Sequence, residues 1–340
     1  MIAVSVIIPT YKPDKYIWKC LNSLKNQTLN NEKFEVLIIL NGEKEPYFKT
    51  IENYIKKNNL RNFKLIYTEK LGVSNARNIG LEVVKGEYCI GIDSDDYVEE
   101  NYLEDMYNKA KKFDLDIVVA NYYLENKNYK KEITDLEIKD SEIIDNKKYL
   151  DLFLKENFFG YIWNKLIKVD LYKKNLVKFQ EKISLYEDVE VILKLIFFSE
   201  KIGKINHAYY HYIQRKNNCV NTPSLKKIND IKIVFDLLEV FFYEKKQEKI
   251  SSELQKIKLK KLITHLWKVK EFSKEKIYKK IELEILDEIK KIKVNIDIFK
   301  SKKYLRENLY LYILNKLPYK SILKLLIKLD LILIKLKNKG

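Results

Sequence analysis

One stretch of the chain restricts its fold more than any other. Residues 86–96 read Gly-Glu-Tyr-Cys-Ile-Gly-Ile-Asp-Ser-Asp-Asp, an apolar run that leads directly into a group of carboxylates. Such a run predicts a strand that is buried on both faces, as in a mostly parallel sheet. Open α/β sheets bind ligands beyond the carboxyl ends of their strands, which is where Asp93, Asp95 and Asp96 would lie.

Neighbouring carboxylates repel one another, and a bound cation would relieve that repulsion. Carboxylate oxygens suit Mg²⁺ or Mn²⁺, which usually keeps a diphosphate among its other ligands. The stretch therefore predicts a metal site at Asp93 and Asp95 that holds a nucleoside diphosphate. The alternative is a solvated turn in which Asp96 caps the following helix.

The order of the predicted elements indicates the fold class. Strands predicted at residues 4–8, 34–40 and 63–67 precede the stretch described above, and a helix follows each of them. This alternation, with short connections, predicts an α/β fold with a parallel sheet. Beyond Pro223 the sequence is rich in Lys, Leu and Ile and helical in its periodicity. We therefore predict one domain at residues 1–222 and a basic α-helical domain at residues 223–340.

Other polar residues are expected near the acidic cluster if their strands neighbour it. Thr10 and Tyr11 follow the first strand, and Asn41 follows the second. A tyrosine ring can stack on a nucleobase, and the Asn41 amide can hydrogen-bond to the edge of that base. Arg77 stands near the start of a helix, where free N–H groups and a guanidinium suit an anion. Taken singly, Tyr11 is more typical of a surface tyrosine and Arg77 of a solvated helix residue.

A second pair of carboxylates, Glu187 and Asp188, stands where a loop is predicted to meet a helix. Asp188 is a candidate general base that removes a proton from an incoming hydroxyl group. The alternative is that it caps the helix. Aromatic and cationic residues, whose rings suit sugars and whose charges suit phosphate, flank this pair in two segments. They are Trp163-Asn164-Lys165 and Tyr210-His211-Tyr212 with Arg215.

Together these pieces resemble the inverting glycosyltransferases of family 2, of the type that builds bacterial surface polysaccharides. The resemblance covers roughly residues 1–222 and implies the GT-A fold, a Rossmann-like, mostly parallel sheet with helices on both faces, here followed by a helical region. The segments that carry it are residues 4–11, 23–28, 72–78, 86–96, 163–166, 186–188 and 210–215.

The resemblance also implies roles for individual residues. Asp95 is the main ligand of an Mn²⁺ or Mg²⁺ ion and Asp93 faces the ribose and the metal. Asp188 resembles the family's catalytic base, with Glu187 beside it. The donor-binding residues that it implies are Pro9, Thr10, Tyr11, Asn41, Arg77, Asp93, Ser94 and Asp95, and those near the diphosphate or the acceptor are Trp163, Asn164, Lys165, His211 and Arg215.

The reaction implied by the resemblance is transfer of a sugar from a nucleoside-diphosphate sugar to a hydroxyl of a glycan or lipid-linked acceptor. Many family members carry Asp-Gly-Ser where this chain has Asn41-Gly42-Glu43. An asparagine can offer either its carbonyl oxygen or its amide hydrogens to a base. We therefore expect a UDP-sugar first, with cytidine- and thymidine-linked donors as alternatives.

The chain carries a net charge of +17, from 65 basic and 48 acidic residues, which favours anionic partners. Residues 319–336 form a predicted helix with a basic face that suits an anionic membrane surface, or that packs on its own domain or on a second subunit of a homo-oligomer. Three scattered cysteines indicate a reducing compartment. Since no long apolar stretch is free of charge, we expect no transmembrane span and a cytoplasmic protein at the inner face of the membrane.

Two other functions fit parts of the sequence. A nucleotidyltransferase can share this fold and metal dependence, but it has no need of Asp188 as a base for a sugar acceptor. A basic nucleic-acid-binding protein would use the Lys-rich helices, yet the sequence contains no recognisable DNA- or RNA-binding module. We therefore expect no nucleic-acid partner.

Overall fold

The computed structural model describes residues 1–156, 160–215, 222–271 and 276–292 of the chain. These residues divide into two compact units. The first contains Met1–Thr222 with Asp236–Leu238, and the second contains Pro223–Phe235 and the described residues from Glu239 onward. None of the helices in these ranges is long and apolar enough to span a membrane.

The first unit is built on one mixed sheet flanked by helices. Its strands are β1 (Val4–Thr10), β2 (Phe34–Asn41), β3 (Phe63–Thr68), β4 (Tyr88–Gly91), β5 (Tyr97–Val98), β6 (Ile117–Glu125), β7 (Lys130–Ile133), β8 (Ile143–Ile144), β9 (Lys165–Lys168) and β10 (Ile202–Ile213). Its helices are α1 (Ile17–Lys25), α2 (Tyr47–Lys57), α3 (Val73–Val83), α4 (Tyr102–Phe113), α5 (Asn146–Glu156), α6 (Val169–Lys174) and α7 (Glu187–Phe198).

The sheet has a parallel half and a mixed half. The main strand order is β3-β2-β1-β4-β9-β6-β10-β5, and β3, β2, β1 and β4 all run parallel. Strand β9 lies antiparallel between β4 and β6, β10 is parallel to β6, and β5 is antiparallel to β10. The predicted α/β fold is confirmed. The short β9 has no counterpart among the predicted strands.

Helices cover both faces of the parallel half because its strands are apolar on both faces. Strand β1 is buried along its whole length. Val4, Val6 and Ile8 belong to a core that includes buried residues of α1, α2 and α4. Ile7 points to the opposite face, where a Cβ atom at Gly80 of α3 would lie 2.5 Å from the Ile7 side chain. Because these strands run parallel, their carboxyl ends lie at the same edge of the sheet. Helix α3 packs on the face that contains Ile7.

The second unit is helical in the residues that the structure describes. Helix α9 packs against α10, and buried Lys258 of α9 donates to Glu288 of α10 over 2.7 Å. The predicted membrane-surface helix at residues 319–336 lies outside the described residues. The helices of this unit are α8 (Leu225–Glu244), α9 (Glu248–Glu271) and α10 (Lys276–Lys291).

Candidate active site

A cavity of about 470 Å³ opens at the edge where β1, β2 and β4 end. It brings together residues that are far apart in the sequence, as the predicted parallel order requires. Besides predicted site residues, it is lined by Lys12, Pro13, Asp14 and Val73. The predicted residues that line it are Pro9, Tyr11, Asn41, Asp93, Ser94, Asp95 and Arg215.

The turn after β2 holds one wall of this cavity in place. The Asn41 amide donates to the Thr10 carbonyl oxygen over 2.9 Å, and the Asn41 Oδ1 accepts from the Gly72 N–H over 3.1 Å. Gly42 has φ +93°, and a Cβ atom there would lie 2.6 Å from the Leu71 side chain. Asn41 therefore joins the ends of β1 and β2 to the start of α3, and retains one amide hydrogen and one lone pair for a ligand.

The three aspartates after β4 have different surroundings. The side chains of Asp93 and Asp95 are 31% and 46% exposed, and both line the cavity. Asp96 is buried and caps no helix, because its carboxylate accepts from the Tyr210 hydroxyl and from the Ile213 N–H, each over 2.8 Å. Burial, together with repulsion from the two neighbouring carboxylates, raises the pKa of Asp96 well above its ordinary value.

Arg215 lies against the same acidic turn. Its guanidinium donates to the Asp95 carbonyl oxygen over 2.8 Å and lies 3.2 Å from the Asp95 carboxylate. The centroid of the Tyr16 ring lies 3.9 Å from the guanidinium carbon of Arg215, and the Asp14 carboxylate lies 3.7 Å from Arg215 Nη1. Neither Tyr16 nor Asp14 was predicted as a site residue, because their contacts with Arg215 join segments that are distant in sequence. Asp14 also accepts from the Tyr16 N–H, one residue before α1 begins at Ile17.

A second cavity of about 820 Å³ shares Asp95 and Arg215 with the first. It extends from the start of α1 towards the loop that joins β6 and β7. Its walls carry mixed charge and several amides, which suits a hydroxyl-rich ligand as well as an anion. The other lining residues are Tyr16, Lys19, Glu125, Asn126, Lys127, Asn128, Ile213 and Gln214.

Asp93 and Asp95 fit the predicted divalent cation in the kind of donor atoms they offer. The described residues contain no group of three or more His, Cys, Asp or Glu side chains that could hold a metal by themselves. Two partly exposed carboxylates on one cavity suit Mg²⁺ or Mn²⁺, because these ions take oxygen ligands and keep waters and substrate phosphates. Burial and the charge of Asp93 raise the pKa of Asp95, although Arg215 opposes this, so a cation would relieve an existing repulsion.

Arg77 of α3 connects this acidic turn with the predicted base. Its Nη1 lies 2.5 Å from Asp188 Oδ1 and 2.9 Å from Glu187 Oε1, and its Nη2 lies 3.2 Å from Asp93 Oδ1. The Arg77 side chain is only 5% exposed, so these are buried ion pairs. Burial opposes its charge, but the carboxylates of Asp188, Asp93 and Glu187 outweigh burial and raise the pKa of Arg77.

The start of α7 lies beside α3 because side chains of α3 bind the segment that leads into α7. Ser74 donates to the Ile183 carbonyl oxygen over 2.9 Å. Asn78 both donates to the Phe179 carbonyl oxygen and accepts from the Phe179 N–H. One helical turn of α3 thus carries Ser74, Arg77 and Asn78 on the same side. This side fixes Glu187 and Asp188 at the first turn of α7.

Asp188 lies within the first turn of α7, whose N-cap residue is Tyr186, so it does not cap that helix. Its side chain is 15% exposed. Burial raises the pKa of Asp188 to about 7, with further contributions from Glu187 and Asp93, while Arg77 opposes the rise. A carboxylate with a pKa near neutrality can accept a proton efficiently, as a general base must.

The structure does not bring Trp163, Asn164 and Lys165 into either cavity. All three are buried, and Lys165 pairs with Asp135 over 2.6 Å. Asn164 donates to the same Asp135 carboxylate and to the Ala120 carbonyl oxygen. These residues were predicted near the diphosphate or the acceptor, but they form a buried structural network in which Asp135 compensates the charge of Lys165.

His211 and Thr10 are also turned away from the first cavity. His211 is buried, with Glu125 at its Nδ1 and Glu99 at its Nε2, each at 2.8 Å, and Tyr97 stacks on its ring at 4.0 Å. The Thr10 hydroxyl donates to the Ile8 carbonyl oxygen of its own strand. Neither residue lines either cavity, and Thr10 contributes only its backbone carbonyl oxygen, which accepts from Asn41.

Comparison of the sequence with known proteins shows similarity to glycosyltransferases. The sequence model of glycosyl transferase family 2 matches residues 5–176, half of the chain. EpsH of Bacillus subtilis is 29% identical over 62% of this chain and 60% of its own length, so the match leaves two fifths of EpsH uncovered. The cholesterol galactosyltransferase of Borreliella burgdorferi is 26% identical over 84% of this chain and 83% of its own.

The fold also resembles solved structures. The crystal structure of Staphylococcus aureus TarS in complex with UDP-GlcNAc matches with a TM-score of 0.67 and 19% sequence identity, over 92% of this chain and 88% of that chain. At this identity the likeness speaks for the fold alone. Asp188 lies beyond the part of the chain that the family model matches, so its place in the site rests on the geometry around Arg77.

Proposed function

The chain belongs to glycosyl transferase family 2, and from this premise we propose that it transfers a sugar from a nucleoside-diphosphate sugar to an acceptor hydroxyl, with inversion at the anomeric carbon. One observation carries the proposal. Asp93 beside the cavity and Asp188 at the start of α7, which are far apart in the sequence, contact the same guanidinium of Arg77. A donor-binding acid and a candidate base are therefore held close together by one side chain.

The proposed donor is a UDP-sugar. The cavity at the ends of β1, β2 and β4 offers the Tyr11 ring and the Asn41 amide to a nucleoside. The TarS structure of the same fold contains UDP-GlcNAc. Asn41 can accept from the uracil N3–H with its remaining lone pair or donate with its remaining amide hydrogen. Cytidine and thymidine donors are the alternatives that the binding test below separates.

The proposed chemistry is a single displacement. Asp188 takes the proton of the acceptor hydroxyl, and the hydroxyl oxygen forms a bond to the anomeric carbon. The bond between that carbon and the diphosphate oxygen breaks, and the nucleoside diphosphate leaves with the electron pair. Attack from the face opposite the diphosphate inverts the configuration. The pKa of Asp188, which burial raises to about 7, suits this proton transfer.

Asp93 and Asp95 would hold the divalent cation, Mn²⁺ or Mg²⁺, which when bound stabilises negative charge on the departing diphosphate. Arg215 is a cationic side chain that this chain itself contributes to the same place, and it contacts Asp95 and lines both cavities. Its guanidinium can donate two parallel hydrogen bonds to a phosphate group. Arg215 therefore orients the diphosphate, while Asp95 fixes the position of Arg215.

The proposed acceptor is a glycan or lipid-linked sugar used in the synthesis of a bacterial polysaccharide, capsule or lipopolysaccharide. The high positive charge of the chain supports work beside an anionic membrane, with residues 319–336 as the proposed contact and the inner face of the cytoplasmic membrane as the proposed location. A second copy of the chain is the other proposed contact for this segment.

The test of the donor and of the base uses purified protein with Mn²⁺. We expect UDP to raise the melting temperature more than CDP, dTDP or GDP does. We also expect slow release of UDP from at least one of UDP-glucose, UDP-galactose and UDP-GlcNAc, because water can replace the acceptor. Asp188→Asn should lower this rate by about 100-fold or more without weakening UDP binding. The matched control is Asp170→Asn, an exposed carboxylate that pairs with Lys174 and lines neither cavity.

Three results would contradict the proposal. Full activity of Asp188→Asn would place the base elsewhere. Release of pyrophosphate from a nucleoside triphosphate, with no release of UDP, would indicate a nucleotidyltransferase. In Asp95→Ala, UDP affinity that is unchanged in the presence of Mn²⁺ would remove the metal site from this turn.

A further inference from the structure

Arg77 has the contacts of a residue that acts on other protein groups and not on a ligand. It was predicted to bind the donor, yet it does not line the cavity at the ends of β1, β2 and β4. Its two terminal nitrogens contact Asp188, Glu187 and Asp93. The remaining nitrogen, Nε, is buried and has no hydrogen-bond partner among the described residues. The ring of Phe179, 5.3 Å from the guanidinium carbon, covers the guanidinium.

The division of these contacts is specific. Nη1 contacts the carboxylates of Glu187 and Asp188 in the first turn of α7, and Nη2 contacts the Asp93 carboxylate in the turn after β4. A planar guanidinium holds its nitrogens at a fixed separation, so it sets the distance between the groups that it binds. Since α3 itself is fixed to the segment before α7 through Ser74 and Asn78, the guanidinium has little freedom to move.

We propose that Arg77 is a positioning residue for the reaction. It orients Asp188 and fixes the distance between Asp188 and the donor-binding turn at Asp93. This inference rests on the proposed function, because it takes Asp188 as the base. Arg77 touches neither donor nor acceptor. It holds the Asp188 carboxylate at a fixed distance from the donor-binding turn before any substrate binds.

The conservative substitution Arg77→Lys separates positioning from charge. A lysine keeps the positive charge in this buried acidic group, but its single ammonium cannot reach Asp188 and Asp93 with two nitrogens held in one plane. The variant should therefore fold and bind UDP while the base is badly oriented. Arg61→Lys is the matched control, because Arg61 is an exposed residue between α2 and β3.

Three measurements are made on the full chain: UDP affinity by calorimetry with Mn²⁺, kcat and KM for UDP release from UDP-glucose, UDP-galactose and UDP-GlcNAc, and melting temperature. We expect Arg77→Lys to keep UDP affinity within about threefold and to lower kcat about 100-fold, as misplacement of a catalytic group by about 1 Å does. In the Asp188→Asn background, Arg77→Lys should lower kcat by no more than about threefold, because residues that act as a unit are not additive.

A second variant tests whether the loss of kcat comes from the missing guanidinium and not from a permanent change of fold. Arg77→Ala leaves a guanidinium-sized space, and millimolar guanidinium should restore part of its kcat while leaving Arg77→Lys unaffected. A purely structural arginine would change the melting temperature and protein yield, but it would not give the loss of additivity with Asp188→Asn.

The outcomes separate the two proposals. A tenfold loss of UDP affinity in Arg77→Lys with unchanged kcat would make Arg77 a donor ligand, and a kcat within threefold of the wild type would deny it any positioning role. Either result overturns the inference and leaves the proposed function intact. A wild-type protein that releases no UDP from the three sugars, or an active Asp188→Asn variant, contradicts the proposed function and with it the inference.

Discussion

Removing the charge of Lys165 should destabilise the first unit strongly without weakening donor binding. Lys165 is fully buried and donates to Asp135 over 2.6 Å, to the Tyr161 carbonyl oxygen and to Asn164 Oδ1. The substitution Lys165→Met keeps the aliphatic part of the side chain and removes the ammonium. Asp135, itself 2% exposed, is then left as a buried carboxylate without its ion pair.

The expected loss follows from this burial. Breaking a buried ion pair by removing one partner costs about 3–5 kcal/mol, because the remaining charge has lost both water and its partner. The double variant Lys165→Met with Asp135→Asn should recover part of this loss, since no carboxylate is then buried without its ion pair, while buried Lys204 loses the favourable charge of Asp135. The matched control is Lys168→Met on the same strand, where the side chain is 28% exposed and its ion pair with Asp114 is 3.5 Å long. An exposed pair of this kind contributes less than about 1 kcal/mol.

Urea unfolding followed by tryptophan fluorescence measures these differences, because Trp163 is buried two residues before Lys165 and stacks on Tyr210 at 4.2 Å. Calorimetry with UDP and Mn²⁺ then tests binding on the folded variants. If Lys165 contacted the diphosphate, as its sequence motif suggested, Lys165→Met would weaken UDP binding about tenfold and leave stability unchanged. That result would refute the assignment of Lys165 to the structural network.

The charges of the molecule lead to three further predictions. Burial opposes ionisation of Glu35, but hydrogen bonds from Lys64, Ser5 and the Lys85 N–H lower its pKa. Glu35→Gln should therefore cost about 2 kcal/mol at pH 7 in urea unfolding, and this difference should shrink as the pH falls below the ordinary pKa of a glutamate and through the lowered pKa of Glu35. The rate of UDP release should rise with pH through about 7, since Asp188 accepts a proton only when ionised; a rate that is flat from pH 5 to 8 would contradict this. Deleting the chain from Tyr319 onward should reduce sedimentation with anionic liposomes, and unchanged sedimentation would remove the proposed membrane contact.

The parallel half of the sheet and the approximate position of the site could be predicted from the sequence. Strands β1, β2 and β4 are long or strongly apolar, and each is followed by a polar turn, so the sequence alone indicates their common edge. The mixed half was harder to predict. Strand β9 has only four residues, two of them lysines, and its antiparallel insertion between β4 and β6 depends on contacts distant in sequence.

The buried polar residues mark the limit of the sequence analysis. Lys165 and His211 stand in segments with the aromatic and charged composition of a sugar site, and nothing local distinguishes them from ligand-binding residues. Their actual partners, Asp135 for Lys165 and Glu99 and Glu125 for His211, come from other elements of the fold. Only the three-dimensional arrangement shows that these charges are already compensated.

The turn after β4 illustrates how environment gives neighbouring, chemically identical residues different roles. Asp96 is tied to β10 through Tyr210 and Ile213, Asp95 holds Arg215, and Asp93 reaches α7 through Arg77. The Asp93 N–H also donates to the Tyr210 hydroxyl over 3.2 Å, so the turn is fixed at both ends. A displacement of this turn would therefore move the donor-binding carboxylates and disturb the base at the same time. For this reason, we expect substitutions at Tyr210, which lines neither of the two cavities, to affect donor binding and catalysis together.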